Sequence, residues 1–147
     1  MSRSVHDDHL LSYEVDGVAK RIVLHTRYPY GEAPFEMTDV VFEGVLDHYF
    51  RNSTLPSVVL DVVEIEIQAI LVRDEDLINE GHRSGGWPSF WKESVGEMLA
   101  AVRGSGCRMF EISSSYGLDG WVAAASCEFI PGKRSWDSRD EDVDPNT

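Results

Sequence analysis

Five histidines, a run of three serines and two cysteines are the residues of this 147-residue chain whose types could carry chemistry. His6 and His9 bracket Asp7 and Asp8, but a polar N-terminal stretch offers nothing to fix them as metal ligands. His25 falls opposite Asp8 if the first strand pair extends that far, an arrangement that would polarise an imidazole as a base or form a cross-strand surface pair. His48 and His82 have no partner that spacing identifies. Asp74 and Asp76 sit as in the start of a calcium loop, yet Asn79 and Gly85 stand where such a loop needs glycine and glutamate. Ser113, Ser114 and Ser115 lie at a strand end next to Gly117, where hydroxyls usually bond nearby backbone, and no GxSxG elbow exists. Phosphate loops of the GxxxxGK[ST] and GxGxxG kinds are absent too. Cys107 and Cys127 would lie opposite each other in a hairpin turning near Gly117, but the expected reading is two small buried apolar side chains. No nucleophile, base and orienter can be named together, so the expectation is a protein without catalytic activity and without a metal or other cofactor.

Two features survive that filter. From Glu36 to Glu80 there are eleven acids against Arg51 and Arg73 alone. Glu36, Asp39, Glu43, Asp47, Glu64, Glu66, Asp74, Glu75 and Asp76 are therefore the candidate contacts for a basic partner, since grouped charge speeds capture of its opposite. Beside them stand the aromatics Tyr30, in the loop from Arg27 to Met37, and Trp87, Phe90 and Trp91, around Pro88 in a second loop. Aromatics on ordered loops serve equally as interface anchors or as plugs over a core.

These side chains must be positioned by the surrounding elements. Leu10–Val15, Asp16-Gly17 and Val18–Thr26 read as a hairpin with a two-residue turn. A third strand is expected over Thr38–Val45, with Leu46–Phe50 ambiguous, and Ser57–Ile67 reads as the strongest strand because six of its residues are β-branched. A short helix is expected from Asp74, as N-cap, to Gly81, although Ile67, Ile70, Leu71, Leu77 and Ile78 also fit a longer stripe. Ser94 and Glu97 form a capping box for a second helix that Gly104 ends. Arg108–Ser113 and Trp121–Ile130 close the list as strands. The expected fold is α+β, a mainly antiparallel sheet of about six strands with two short helices between the fourth and fifth. Residues 1–131 are expected to form one globular domain, and 132–147 a disordered acidic tail.

Thirteen Lys and Arg against 26 Asp and Glu give a net charge of −13, which argues against nucleic acid or an anionic membrane as partner. No apolar stretch has the length of a membrane helix, and the polar start lacks a signal-peptide pattern, so a cytoplasmic address is expected. The stretches TDVVFEGVLDHYF, SVVLDVVEIEI and ISSSYGLDGWVAAAS resemble small acidic bacterial proteins, among them immunity proteins that neutralise a toxin from the same locus. The resemblance implies a non-catalytic binder of a basic protein, possible toxins included, and carries over no residue roles. Two other readings stand beside it: a small-ligand binder or enzyme with a pocket near Trp87–Trp91, and an accessory module that self-assembles.

Overall fold

A computed structural model describes residues 4–52 and 56–132. Its order is β1 (His9–Asp16), β2 (Arg21–Arg27), β3 (Met37–Glu43), β4 (Asp47–Arg51), β5 (Ser57–Ile65), α1 (Ile67–Arg73), α2 (Glu75–Gly85), α3 (Val95–Gly104), β6 (Arg108–Tyr116), β7 (Asp119–Ala124) and β8 (Ser126–Pro131). The fold is an α+β antiparallel sheet of eight strands in the order β4-β7-β6-β5-β1-β2-β3-β8. The expected six strands become eight because two of them bend. Thr38–Val45 runs on through Gly44 into β4, and Trp121–Ile130 divides at Ala125 into β7 and β8.

The two bent strands pair with each other along their whole length, β3 with β8 and β4 with β7. The strands at the two ends of the sheet order are thus halves of one continuous ribbon, and the sheet closes on itself. At the bend, Glu43↔Ser126 is followed by Asp47↔Ala123, so one strand carries an extra residue, as in a β-bulge. Gly44 has φ +62° there, and a Cβ on it would lie 2.8 Å from the Ala125 Cβ. Gly120 is tighter still: at φ +150°, a Cβ would sit 1.8 Å from the Tyr49 carbonyl oxygen. The ring is completed where β1 meets β5 over His9↔Val58 and Leu10↔Ser57.

The closed sheet encloses one core, built on Leu10, Ile22, Leu24, Val40, Phe42, Val59, Phe110, Ile112 and Val122. A second core lies between the helices and the other face of β6 and β7, where Met109, Trp121 and Ala123 meet Ile70, Leu71, Ile78, Met98 and Val102. Alternate residues of β6 and β7 feed different cores, as the two-residue period of a strand requires.

Three helices stand where two were expected. The stripe from Ile67 does form a helix, which takes the end of the expected fourth strand and breaks at Asp74. Asp74 holds the N-cap position of α2, but its side chain makes no capping bond. Gly81 does not stop α2, which continues to a left-handed cap at Gly86. Its missing side chain instead admits Trp87, whose Cε3 would lie 2.3 Å from a Cβ. Ser94 caps α3 as expected, its hydroxyl accepting from the Glu97 amide and donating to the Glu97 carboxylate, which takes the place of the reciprocal backbone bond of a full capping box.

The first hairpin has a longer turn than Asp16-Gly17 implied. The Asp16 carboxylate accepts from the Val18 and Ala19 amides, Lys20 takes φ +57°, and the first pair across the turn is Asp16↔Arg21. His25 therefore lies opposite Ser12 instead of Asp8, and Asp8 accepts from Thr26 Oγ1 at 2.8 Å. Cys107 and Cys127 are not bonded: Cys127 has moved with β8 to pair with Phe42, while Cys107 faces the helices. Burial pushes the Cys127 thiol up to about 12, in keeping with an apolar role. Asn52–Pro56, a turn by composition, falls partly, and the tail after Gly132 wholly, outside the described residues.

Gly120→Ala should destabilise the fold by about 2–4 kcal/mol or prevent folding, whereas Gly85→Ala, with open space around its Cβ, should be tolerated; urea unfolding monitored by circular dichroism decides between them. In the native protein at pH 8, Cys127 should react with iodoacetamide far more slowly than in denaturant, as read by mass spectrometry.

Candidate functional site

The outward face of β1, β2, β3 and β8 is a registered grid. Glu14, Val23, Val41 and Glu128 form one row across the four strands, Ser12, His25, Asp39 and Ile130 the next, and Asp16, Arg21, Glu43 and Ser126 a third. The groove over this grid has a volume of about 220 Å³. Its floor is apolar, from Val23, Val41 and Ile130, and Glu14, Asp39, Glu43 and Glu128 surround it against one cation, Arg21. Arg21 lies 3.9 Å from Glu43, an exposed contact that neutralises little.

Beneath the groove the His25 imidazole bridges two carboxylates. Nδ1 lies 2.8 Å from Asp39 Oδ1 and Nε2 lies 2.8 Å from Glu14 Oε2. His25 and the Asp39 side chain are buried, while Glu14 is 64% exposed. With both ring nitrogens committed to carboxylates, neither faces a nucleophile. Ser12 sits beside His25, yet its enclosed hydroxyl has no hydrogen-bond partner, so Ser12, His25 and Asp39 form no nucleophilic triad.

The other acids singled out in the sequence lie elsewhere, and most are neutralised or structural. Asp47 accepts from the Ser89 amide and hydroxyl at 2.9 and 2.5 Å, tying the Trp87 loop to β4. Glu64 bonds Arg108 at 3.0 Å and, with Glu66, borders an open groove that also holds Arg103, a balance of two acids and two cations. Asp74 accepts twice from Arg73, at 3.0 and 3.1 Å, and once from Trp121 Nε1 at 3.0 Å. Arg73 also reaches Glu111, and these two carboxylates hold its guanidinium charged more firmly than usual. Glu75 and Asp76 are exposed in the first turn of α2, where they complement the helix dipole. Glu36 is exposed in the loop before β3.

The aromatics divide in the same way. Phe90 is 4% exposed, and Trp87 stacks on the buried Trp121 while donating to the His48 carbonyl at 3.1 Å. Trp91 stacks flat on His82 and donates to Asn79 Oδ1 at 2.9 Å. That loop is a plug over the second core. Tyr30, at 59% exposure, projects with Tyr28 from the loop joining β2 to β3. His48 is half-buried, and desolvation holds its imidazole below the ordinary value.

Sequence reasoning missed Glu14 and Glu128, which come alongside Asp39 and Glu43 only through cross-strand register. It also missed a polar cleft of about 350 Å³ where Arg51, Glu111, Ser113 and Asp119 converge. Of the serine run, Ser114 donates to the nearby Leu118 carbonyl, as a turn hydroxyl does, Ser115 instead donates across to the Val58 carbonyl of β5, and Ser113 lines this cleft. Among the described residues, no group of three or more His, Cys, Asp or Glu could hold a metal ion, and no helix is long and apolar enough to cross a membrane.

His25→Leu should destabilise the fold by about 2–4 kcal/mol, because it leaves the Asp39 carboxylate buried without its imidazole. Ser12→Ala should be neutral or stabilising, since the hydroxyl it removes bonds nothing; paired urea titrations measure both. Compared with known proteins, the chain matches no family model, no curated protein and no solved structure.

Proposed function

We propose that this chain is a non-catalytic protein-interaction domain of the inhibitor or immunity type, which captures a basic protein through the outward face of β1, β2, β3 and β8. The observation that carries this reading is the groove in which four carboxylates surround an apolar floor with one arginine among them. A lysine or arginine side chain of the partner would lay its aliphatic stem on Val23, Val41 and Ile130 and its charged head among the acids. Tyr30, at the end of this face, supplies an exposed aromatic of the kind enriched at interfaces. The net charge of −13 adds a long-range field that favours encounter with a basic protein and disfavours nucleic acid and anionic membrane. The surfaces at Glu64 and Asp74 support the reading less, because arginines already answer their acids.

Capture from cell lysate by three tagged proteins tests the proposal: the parent, Glu43→Lys with Glu128→Lys, and Glu64→Lys with Glu66→Lys. The two variants change net charge equally, at different surfaces. A stoichiometric basic protein retained by the parent and the second variant but lost by the first, whose association with the parent slows at least about tenfold from low to high salt, is the expected result. Equal retention by all three, or no basic protein retained by the parent, overturns it.

A further inference from the structure

We propose that the cleft beside the α1–α2 junction is a second site, which binds a single neutral ring bearing adjacent hydroxyls, of monosaccharide or cyclitol size. Its floor is the outer face of β4, β7 and β6. Tyr49, Trp121 and Glu111 form one registered row, and Arg51 and Asp119 begin the next, with Ser113 beside Asp119 by extension of the Ile112↔Gly120 pair. Two strand gaps of about 4.8 Å and one two-residue step of about 6.8 Å set the backbone lattice beneath the cleft at roughly 10 by 7 Å, and the fully buried Trp121 closes its floor. The volume of about 350 Å³ lies at the small end of the range of ligand clefts.

Charge balance selects a neutral occupant. Arg51 and Arg73 stand against Asp74, Glu111 and Asp119, so a phosphate would meet three carboxylates and a strong cation two guanidiniums. Arg73 and Asp74 bond each other, Glu111 and Trp121, and they form one wall of the cleft. The other groups keep bonding capacity. Arg51 donates to Asp119 through Nε alone, at 2.6 Å, which leaves its terminal amino groups and the second Asp119 oxygen outside that bond. Glu111 uses one oxygen on Arg73, and the Ser113 hydroxyl makes no bond to a described residue. A hydroxyl is the group that satisfies both kinds of neighbour, since it donates to a carboxylate and accepts from a guanidinium. Two adjacent hydroxyls can therefore span Arg51 and Asp119 together, while the half-buried Tyr49 ring offers an apolar flank to the C–H face of the sugar. This site is independent of the acid-lined groove, which lies on other strands, and it differs from a pocket at Trp87–Trp91, whose residues plug a core.

Amide and indole proton–nitrogen spectra provide the test, because the Trp121 Nε1–H that donates to Asp74 and the backbone amides of Ser113 and Gly120 report directly on the cleft. Titration with myo-inositol and with D-glucose should move these signals saturably, and cyclohexanol, which keeps the ring but has one hydroxyl, should bind at least about tenfold more weakly. Asp119→Asn should weaken the response about tenfold, with Ser113→Ala as the second variant if the first alters the unfolding curve. The proposal fails if neither polyol shifts the three signals, if cyclohexanol matches them, or if inorganic phosphate binds as tightly.

Discussion

Two long strands bend together at Gly44 and Ala125, and the bend has to be exact in register because both strands continue on either side of it. Four steps along one strand, from Glu43 to Asp47, answer three along the other, from Ser126 to Ala123. The Ala125 amide reaches the Glu43 and Gly44 carbonyls, and the Leu46 amide reaches the Ala123 carbonyl, so the irregular stretch keeps its backbone bonded. Past this point β8 turns away from β6 to pair with β3, while β7 stays between β6 and β4. That divergence gives the sheet its interior. It also gives β7 two buried faces, so Val122 enters one core and Trp121 the other.

Both candidate surfaces follow from the same bend. β8 brings Glu128 and Ile130 alongside Val41 and Asp39, completing the acid-lined face that β1 and β2 begin. On the other half of the ribbon, β4 brings Tyr49 and Arg51 alongside Trp121 and Asp119, where the break between α1 and α2 supplies Arg73 and Asp74. Arg73 and Asp74 thus serve the fold before any ligand. They fix the helix break and satisfy the indole of a tryptophan whose burial would otherwise strand a donor.

Local chemistry was legible in the sequence and long-range register was not. The N-cap of α3 and the strand character of Ser57–Ile65 are each set by residues within a turn or two of one another. The hairpin turn was misjudged because Asp16 bonds the two amides that a two-residue turn would have placed differently. The turn shifts the pairing by four residues, an even number, so Ser12, Glu14, Arg21 and His25 still share one face, while a bulge between Leu10 and Ser12 breaks that register and sends Leu10 into the core. Gly81 reads as a helix stop by propensity alone, and only the packing of Trp87 explains it inside α2. Glu14 and Glu128 are more than a hundred residues apart in the chain, so no window of sequence could join them.

A generic solubilising surface spreads its charge, because like charges held close together repel and lower stability. The groove does the opposite at four positions while arginines neutralise the acids at Glu64, Asp74 and Asp119. Part of that repulsion is offset locally, since His25 sits between Glu14 and Asp39 and bonds both. The same bridge fixes the two carboxylates at defined positions over an apolar floor. Side chains held in place before binding lose less conformational freedom on meeting a partner, at roughly 0.5–1.5 kcal/mol per immobilised side chain. The bridge therefore does two things at once: it pairs the buried Asp39 carboxylate, which the fold needs, and it holds Glu14 in a fixed place at the edge of the groove.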